Sequence, residues 1–320
     1  MAGVSKKTDQ IKPPTDAEKL SSLLPNLFIY PLSFQLGHLM IGCGDKAILI
    51  PSSLTMESRD LRVRTLKVGQ IARAAAVFRV NRIVIYKDEE YDDSRFISMV
   101  LRYMDTPQYL RKMLIPRREE LRHVGILPPL RTPHHPTNKM TSALKIGEYR
   151  VGAVVESVGS DGGAWVEIGV DRPIPLRTDE MFEAGTRLNV RIFSLDPLAA
   201  EPVGRKEIPQ YWGYETEVVG SLEKYLEDYL GSIEALVLLT SRKGKLVTTQ
   251  LLQRLGKAGQ SDLAVAFGSP ARGVDAFLSQ RLMDRCCMIN TIPRQGTETV
   301  RTEEAVIATL ALLNLVAMEE

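Results

Sequence analysis

The chain has 320 residues, of which 44% are hydrophobic, enough for one large core and a smaller second domain. Lys and Arg number 41 against 39 Asp and Glu, so the net charge is only +2 and any nucleic-acid surface must come from clustered basic residues. No apolar stretch reaches membrane-spanning length, and no apolar signal core follows Met1 to Lys7. These features predict a soluble, cytoplasmic protein.

The first part of the chain alternates strand and helix patterns. Residues 1–24 are polar and are expected to form a flexible N-terminal arm. Apolar periodicity predicts a strand at Ala47–Ile50, a helix at Asp60–Phe78 and a strand at Arg82–Tyr86. The residues expected to share the buried stripe of that helix are Leu61, Leu66, Ile71, Ala75 and Phe78.

A second helix and a basic stretch follow. Asp92, Asp93 and Ser94 supply cap chemistry for a helix, and shorter helices are predicted through Tyr109 to Leu121. Four prolines make the segment 127–136 extended or turning. Arg111, Lys112, Arg117, Arg118 and Arg122 could bind phosphates, but a solvated helix face is an equal alternative, since Glu119 and Glu120 interrupt them.

The pattern changes to short alternating runs between Gly147 and Val203. Strands are predicted at Tyr149–Val155, Ala164–Ile168 and Leu188–Phe193, and the sequence at 161–163 (Asp-Gly-Gly) is a hairpin signal. This block predicts an inserted small β-barrel, plausibly of the oligonucleotide-binding (OB) type, over residues 139–207. Trp165 and Phe193 can be read either as exposed stacking residues or as core.

The last third contains three hydrophobic runs, Ala235–Leu239, Leu263–Phe267 and Cys287–Asn290. Each run ends in a small, polar loop with glycine or proline, as buried parallel strands do at a ligand-binding edge. Three such loops in series indicate one ligand pocket. A C-terminal helix is predicted at Glu303–Val316.

Cysteine usage fits an intracellular protein. Cys43, Cys286 and Cys287 are odd in number and have no paired spacing, which predicts reduced thiols. The adjacent His134 and His135 have no nearby carboxylate or cysteine at ligand spacing, so no metal site is expected. An RNA-contacting or domain-joining role is preferred for this pair.

Several motifs resemble those of a known enzyme class. The segments 266–274 (Ala-Phe-Gly-Ser-Pro-Ala-Arg-Gly-Val) and 290–305 (Asn-Thr-Ile-Pro-Arg-Gln-Gly-Thr-Glu and the residues that follow) resemble SPOUT-class RNA methyltransferases. Further resemblance lies at 50–54, 60–62, 68–74, 106–112 and 127–136. Together these segments resemble the RNA uridine N3 methyltransferase family of archaea and eukaryotes.

The resemblance implies a fold, a cofactor and a substrate. It implies an α/β domain with a parallel sheet and a deep trefoil knot, built from residues 25–138 and 208–320 around the inserted barrel. It also implies a homodimer with the C-terminal helix at or near the interface. The implied reaction is S-adenosylmethionine-dependent methylation of a base nitrogen, uridine N3, in ribosomal RNA.

The same resemblance assigns site residues. Arg62, Arg272 and Arg294 are the candidate catalytic residues, although each could be a solvated or ion-paired surface arginine. The candidate RNA-binding residues are Arg111, Lys112, Arg131, His134 and His135. The candidate cofactor-binding residues are Thr240, Ser241, Gly244, Phe267, Gly268, Ser269, Pro270, Gly273, Asn290, Ile292, Pro293, Gln295, Gly296, Thr297 and Glu298.

Methylation at uridine N3 requires loss of an imide proton, so the site must stabilise the uracil anion or supply a base. Asp60 and Glu298 are the available carboxylates, but an ion pair or a helix cap is the preferred interpretation of each. Two other functions stay open: a non-catalytic RNA-binding or ribosome-assembly protein with the same fold, and a translation factor dominated by the barrel.

Overall fold

The computed structural model describes residues 44–158, 163–232, 235–257 and 262–316. The predicted N-terminal arm and Cys43 lie outside these residues. Within these ranges, no helix is both long and apolar enough to cross a membrane. Cys286 and Cys287 are free thiols, and burial raises the pKa of Cys286 to about 11.

The elements before the barrel confirm the predicted alternation of strand and helix. Asp60 caps the first long helix, because its carboxylate accepts the backbone N–H of Arg62 at 2.7 Å. The elements are β1 (Lys46–Pro51), α1 (Leu61–Val77), β2 (Arg82–Tyr86), α2 (Ser94–Asp105) and α3 (Arg111–Leu114).

The predicted buried stripe of α1 is wrong at Leu66, whose side chain is 42% exposed. The buried face instead carries Thr65, Val68, Ile71, Ala72 and Ala75. The reason is geometric: residues spaced by five drift around a helix, whereas spacings of three and four keep one face.

The predicted barrel is present, with two strands more than the sequence indicated. Its strands are β3 (Tyr149–Val158), β4 (Gly163–Glu167), β5 (Ile174–Arg177), β6 (Arg187–Leu195) and β7 (Leu198–Val203). They close in the order β3-β4-β5-β7-β6, and β5 pairs with β7 in parallel. The interior is apolar, and its fully buried residues include Val154, Val166, Ile174, Val190 and Ile192.

The chain then returns to the α/β part. The sequence did not predict the first strand here, because its residues are mostly polar and it lies at the sheet edge. The elements are β8 (Glu215–Val219), α4 (Leu222–Ser232), β9 (Ala235–Leu246), α5 (Thr249–Lys257), β10 (Asp262–Ala266), α6 (Gln280–Met283), β11 (Cys287–Asn290) and α7 (Thr302–Val316).

A 6-stranded parallel sheet with the order β11-β9-β10-β1-β2-β8 forms the centre of this part. Side chains alternate along each strand, so Ile48 and Ile50 pack under α1, α2 and α7. Ala47 and Leu49 face the opposite side and pack with α4 and α6. Helices therefore cover both faces of the sheet, as a buried parallel sheet requires.

Asp105, the last residue of α2, joins the barrel to the α/β part. Its carboxylate accepts hydrogen bonds from Arg187 of β6 at 2.8 Å and from the Tyr214 backbone at 3.3 Å. His134 Nε2 lies 3.1 Å from the same carboxylate and 3.0 Å from the Asp105 carbonyl oxygen. One buried carboxylate thus connects α2, the proline-rich segment, the barrel and the start of β8.

Gly213 is required at this junction. Its φ is +77°, and a Cβ there would lie 2.2 Å from Asp105 Oδ1 and 2.4 Å from His134 Cε1. The neighbouring Trp212 is buried between the two parts, and its indole N–H donates to Asn189 Oδ1 at 2.8 Å. The junction is therefore closely packed, and the Asp105 carboxylate and the Trp212 indole N–H are hydrogen-bonded in it.

We expect stability to fall in acid because of Asp105. Burial raises the pKa of Asp105, but the hydrogen bonds and charges of His134 and Arg187 outweigh it and bring the pKa to about 2. The folded value lies below the unfolded value of 3.8, so this stabilisation is complete above the unfolded pKa. About 2 kcal/mol is lost as the pH falls from about 5 to about 2.

Urea unfolding followed by tryptophan fluorescence tests this expectation, because Trp212 lies at the junction. Asp105→Asn should lower the free energy of unfolding at neutral pH by about 3 kcal/mol and flatten its acid dependence. Asp179→Asn, at an exposed site on the barrel, is the matched control and should behave as wild type. An unchanged acid dependence in Asp105→Asn would contradict this account.

Candidate functional site

Five segments meet at the carboxyl edge of the parallel sheet. They follow β1, β2, β10 and β11, and the fifth is an excursion within β9. Ligands of open α/β sheets bind at this edge. The sequence indicated three of these segments as a pocket, and the structure places the loops after β1 and β2 beside them.

The segment predicted as a loop after Leu239 is instead part of β9, but it leaves the regular pairing. Leu239 lies opposite Met288 and Lys245 opposite Ile289, so residues 240–244 project from the sheet. Gly244 is needed because a Cβ there would lie 2.4 Å from the Ile289 carbonyl carbon. Close approach of two backbones therefore explains this glycine.

Hydrogen bonds join the excursion to the loop after β11. Asn290 donates to the Arg242 carbonyl at 3.2 Å, and its Oδ1 accepts the backbone N–H of Ile292 at 3.0 Å. Gln295 donates to the carbonyls of Thr297 and Glu298, both at 3.0 Å, and Arg242 donates to the latter at 2.8 Å. Asn290 and Gln295 therefore shape the loop with their side chains.

The loop after β10 closes tightly on itself. A Cβ on Gly268 would lie 2.8 Å from both the Arg272 carbonyl oxygen and the Val274 nitrogen. Ser269 Oγ accepts the Arg272 N–H at 2.9 Å, and Thr302 of α7 donates to the Gly268 carbonyl at 3.2 Å. The start of α7 thereby holds the carboxyl end of β10.

The remaining predicted cofactor residues differ in what they can offer. Thr240 donates its hydroxyl to the Ala266 carbonyl at 2.9 Å, and Ser241 Oγ accepts the Lys243 N–H at 3.2 Å. The side chain of Phe267 is buried and its carbonyl accepts the Tyr86 hydroxyl at 2.6 Å. Pro293, Gly296, Thr297, Glu298 and Gly273 are exposed, while Pro270 and Ile292 are half-buried.

Gly296 lies beside open space. An added Cβ would meet no atom within 4 Å, and its φ is not in the left-handed region. The turn itself therefore does not require glycine. Gly296 therefore leaves room at the edge where open α/β sheets bind ligands.

Arg272 is held by acidic residues of the loop after β2. It forms an ion pair with the buried carboxylate of Asp88, and its Nε lies 3.3 Å from Glu90 Oε1. Ser53, after β1, donates to the other oxygen of Asp88 at 2.6 Å. The guanidinium also lies 4.8 Å from the ring centre of Phe277. Arg272 is therefore ion-paired and not a free surface arginine. Together with Asp88 it connects the loops after β1, β2 and β10.

Arg62 and Arg294 have a different setting. Both are exposed at the carboxyl edge, Arg62 in the first turn of α1 and Arg294 in the loop after β11. Arg294 has φ 56°, a left-handed conformation that costs free energy for any residue with a Cβ. Strained residues concentrate at functional sites, which makes Arg294 the stronger candidate for ligand contact.

The sequence did not predict a buried ion pair that lies near this edge. Lys67 of α1 lies 2.8 Å from Glu57 Oε2 and 3.8 Å from Glu303 Oε1 of α7. Among the described residues, no group hydrogen-bonds Glu303 Oε2. Only tertiary packing places Lys67 of α1 beside Glu303 of α7, so the sequence pattern does not indicate this pair. Asp88 and Ser53 were missed for the same reason.

The predicted RNA-binding residues lie near the opposite end of the domain. His134 is fully buried against Asp105, so RNA binding is wrong for this residue and the domain-joining alternative holds. His135 is half-buried, and burial together with His134 lowers its pKa to about 4. Arg111 donates to the Thr106 carbonyl and covers the ring of Tyr103, whereas Lys112 and Arg131 are exposed.

No group of three or more His, Cys, Asp or Glu side chains in the described ranges is arranged to hold a metal ion.

Comparison with known proteins identifies the family of the chain. A family model described as "Putative RNA methyltransferase" matches residues 45–313, most of the chain. The protein belongs to this RNA methyltransferase family. An uncharacterized family relative from Haloarcula marismortui is 37% identical over 290 residues, covering 84% of this chain and 98% of its own. The human 28S rRNA (uridine-N(3))-methyltransferase is 28% identical over 302 residues, covering 83% of this chain and 77% of the human protein.

A solved structure, the SpoU methyltransferase AviRb from Streptomyces viridochromogenes, aligns with 85% of this chain and 59% of its own length. The identity is 9% and the TM-score 0.35, too low to establish a common fold.

Proposed function

We propose that this methyltransferase acts in the cytoplasm and transfers a methyl group from S-adenosylmethionine to N3 of a uridine in ribosomal RNA. The observation that carries the proposal is the convergence of the β9 excursion and the loops after β10 and β11 on one edge, beside the open space at Gly296. The human relative named as a uridine-N3 methyltransferase supports the choice of acceptor.

The residues at this edge fit the cofactor. Adenine and ribose require backbone donors and acceptors at close range, and Gly268 and Gly244 let neighbouring backbones approach closely. Asn290 and Gln295 preorganise the third loop, which reduces the ordering cost of binding. When bound, the cofactor supplies an electrophilic methyl group on a sulfonium.

The protein must also hold the uracil and favour its anion. Loss of the N3 proton places negative charge on the two uracil oxygens, which a guanidinium stabilises by charge-assisted hydrogen bonds. We assign this contact to Arg294 and Arg62, two exposed arginines of the edge. Asp88 and Glu90 partly neutralise Arg272, so we assign Arg272 to holding the loop after β10 in place.

Nucleoside analysis tests the reaction. Ribosomal RNA from cells that lack the protein should lose N3-methyluridine, and the purified protein with S-adenosylmethionine should restore it. Mass spectrometry measures both. Unchanged nucleosides together with intact RNA binding would favour the non-catalytic assembly protein.

Substitutions should separate cofactor binding from acceptor binding. Gly296→Val should abolish S-adenosylmethionine binding in calorimetric titration, because the side chain enters the open space, while the fold survives. Arg294→Ala should leave cofactor affinity within about twofold and lower kcat/KM for RNA at least about tenfold, equivalent to about 1.4 kcal/mol.

Gly125→Val, the same substitution at another exposed glycine where an added Cβ meets no atom within 4 Å, is the matched control for the added bulk. Undiminished cofactor binding by a folded Gly296→Val protein would place the pocket elsewhere.

We also propose that the C-terminal segment is knotted. Supporting features are the order β11-β9-β10-β1-β2, the return of α7 to pack on α1, and the hydrogen bond from Thr302 to Gly268. A knot shortens the fully stretched chain, so pulling from both termini in an optical trap should give an extension below that of an unknotted chain of 320 residues. Full extension would exclude the knot.

We further propose a homodimer through α1 and α7. These helices pack against each other, yet Val63 and Leu66 of α1 and Ile307 and Leu315 of α7 remain at least 42% exposed. Ile307, Ala311 and Leu315 recur every four residues and so share one face of α7. The buried residues Val306, Leu310 and Leu313 already serve the core. A second copy of the same surface would cover this apolar face.

Sedimentation tests the dimer. Leu66→Asp combined with Ile307→Asp should give a folded monomer where wild type sediments as a dimer, because the paired apolar surface would become charged. Val77→Asp, an exposed apolar position at the other end of α1, is the control and should leave the dimer intact. A wild-type protein that is monomeric at micromolar concentration would contradict the proposal.

The barrel has five strands in a closed order with one parallel pair, and we assign it to the OB type, which commonly binds oligonucleotides.

A further inference from the structure

The outer face of the barrel carries an aromatic and cationic surface that the other residues described by the structure leave exposed. Trp165 of β4 is 41% exposed, so the core interpretation of this residue is wrong and its ring is available on the barrel surface. Pro175 and Arg177 of β5 are exposed, and Phe193 of β6 is half-buried. We call Trp165, Pro175, Arg177 and Phe193 the platform.

Strand register makes the platform one continuous surface. Trp165 lies directly opposite Pro175, and Arg177 lies two residues further along β5 on the same face. Leu176 pairs in parallel with Ala200, so Arg177 is level with Glu201 of β7, which forms an ion pair with Arg191 of β6. Phe193 lies at a register irregularity of β6, and the Arg177 guanidinium reaches its ring across β7. The platform therefore crosses from β4 to β6, three strand spacings or about 14 Å.

Arg177 is already positioned on this surface. Its guanidinium lies 5.1 Å from the ring centre of Phe193, a cation–π contact that holds the planar group against the barrel. A tryptophan ring and a guanidinium plane are the two side-chain surfaces on which unpaired bases stack. The platform presents both as diagonal neighbours of the β4–β5 pair, about 7 to 8 Å apart.

The junction with the α/β part does not use this face. Val151 and Ala153 of β3 pack into the junction cluster, and Arg187 and Asn189 at the start of β6 bond to Asp105 and Trp212. Trp165 and Arg177 lie on other strands, and Phe193 lies toward the far end of β6. Contacts with the α/β part therefore do not account for the platform.

The platform is also far from the carboxyl edge of the sheet in the same protomer. β2 ends at that edge, and α2 runs back from it to Asp105, where the barrel begins. The twelve residues of α2 span about 18 Å, and the barrel lies beyond them. One or two nucleotides at the methyl-transfer site cannot reach the platform.

We propose that the platform binds an unpaired segment of the RNA substrate, distinct from the nucleotides at the methyl-transfer site. The identity of the RNA as substrate rests on the proposed function. Bases stack on Trp165 and on the Arg177 plane, as proteins that bind single strands use aromatic and guanidinium surfaces. Asp179 and Glu180 are exposed just after Arg177, so stacking, not phosphate neutralisation, supplies most of the binding free energy.

Tryptophan fluorescence gives a direct measurement. The chain has two tryptophans, and Trp212 is buried, so quenching by a soluble quencher reports Trp165. A single-stranded RNA of about twelve nucleotides, within the site sizes known for such barrels, should shield Trp165. Trp165→Ala and Arg177→Ala should each weaken binding about tenfold, Trp165→Phe much less, and the affinity should change little with salt.

Val218→Ala, at an exposed apolar position on β8, is the control and should bind RNA as wild type does. Cofactor titration of the same variants should be unchanged. RNA binding by Trp165→Ala at wild-type affinity, or no shielding of Trp165, would overturn the proposal. The proposal would also be overturned if the Trp165→Ala protein lost a co-purifying protein but still bound RNA.

The two proposals fail separately. Shielding of Trp165 by RNA in a wild-type protein that does not bind S-adenosylmethionine would remove the proposed function and leave the platform standing. If wild type and Trp165→Ala methylate long RNA equally efficiently, the platform proposal fails and the proposed function stands.

Discussion

Parallel pairing of every strand in the central sheet is the constraint on which the site depends. Because all strands run the same way, each loop that follows a strand emerges at one edge, whatever the distance between the strands in the sequence. Ser53 and Arg272 are far apart in the chain, yet both bind the carboxylate of Asp88. The side chains that shape the pocket are therefore brought together by topology and then fixed by a few buried polar contacts.

Two carboxylates of this kind organise opposite ends of the domain. Asp88 links the loops at the carboxyl edge, and Asp105 links the barrel at the amino edge. A buried carboxylate is costly unless its oxygens are paired, so each holds its partners in one arrangement. The carboxyl edge and the barrel are thus held in fixed places apart from each other, so an RNA that binds both, as we propose, must extend from one to the other.

The backbone conformations at the site divide its residues into two groups. Gly244 and Gly268 are glycines because other backbone atoms occupy the place of a side chain. Gly296 is next to open space, and Arg294 holds a left-handed conformation without glycine. Gly244 and Gly268 therefore build the loops. Contacts within the protomer do not explain the glycine at 296 or the left-handed conformation of Arg294, so we expect ligand contact at these two residues.

Local sequence patterns are sufficient to predict most of the strands and helices. Apolar runs of strand length and helical periodicity indicated β1, α1, β2, α2, α7 and three barrel strands, since these patterns follow from local geometry. The motifs at 266–274 and 290–305 also indicated the family, and the match of the family model to residues 45–313 confirms it.

Which polar side chains contact one another depends on tertiary packing. Local patterns carry no signal for contacts between distant residues, so the Asp88–Arg272 pair and the Lys67–Glu303 pair could not be foreseen. The same holds for β8, whose polar residues form a strand because β2 offers a free edge. His134 shows the limit most clearly: a histidine in a proline-rich motif suits RNA contact equally well on sequence grounds, and its burial against Asp105 depends on how two parts of the fold pack.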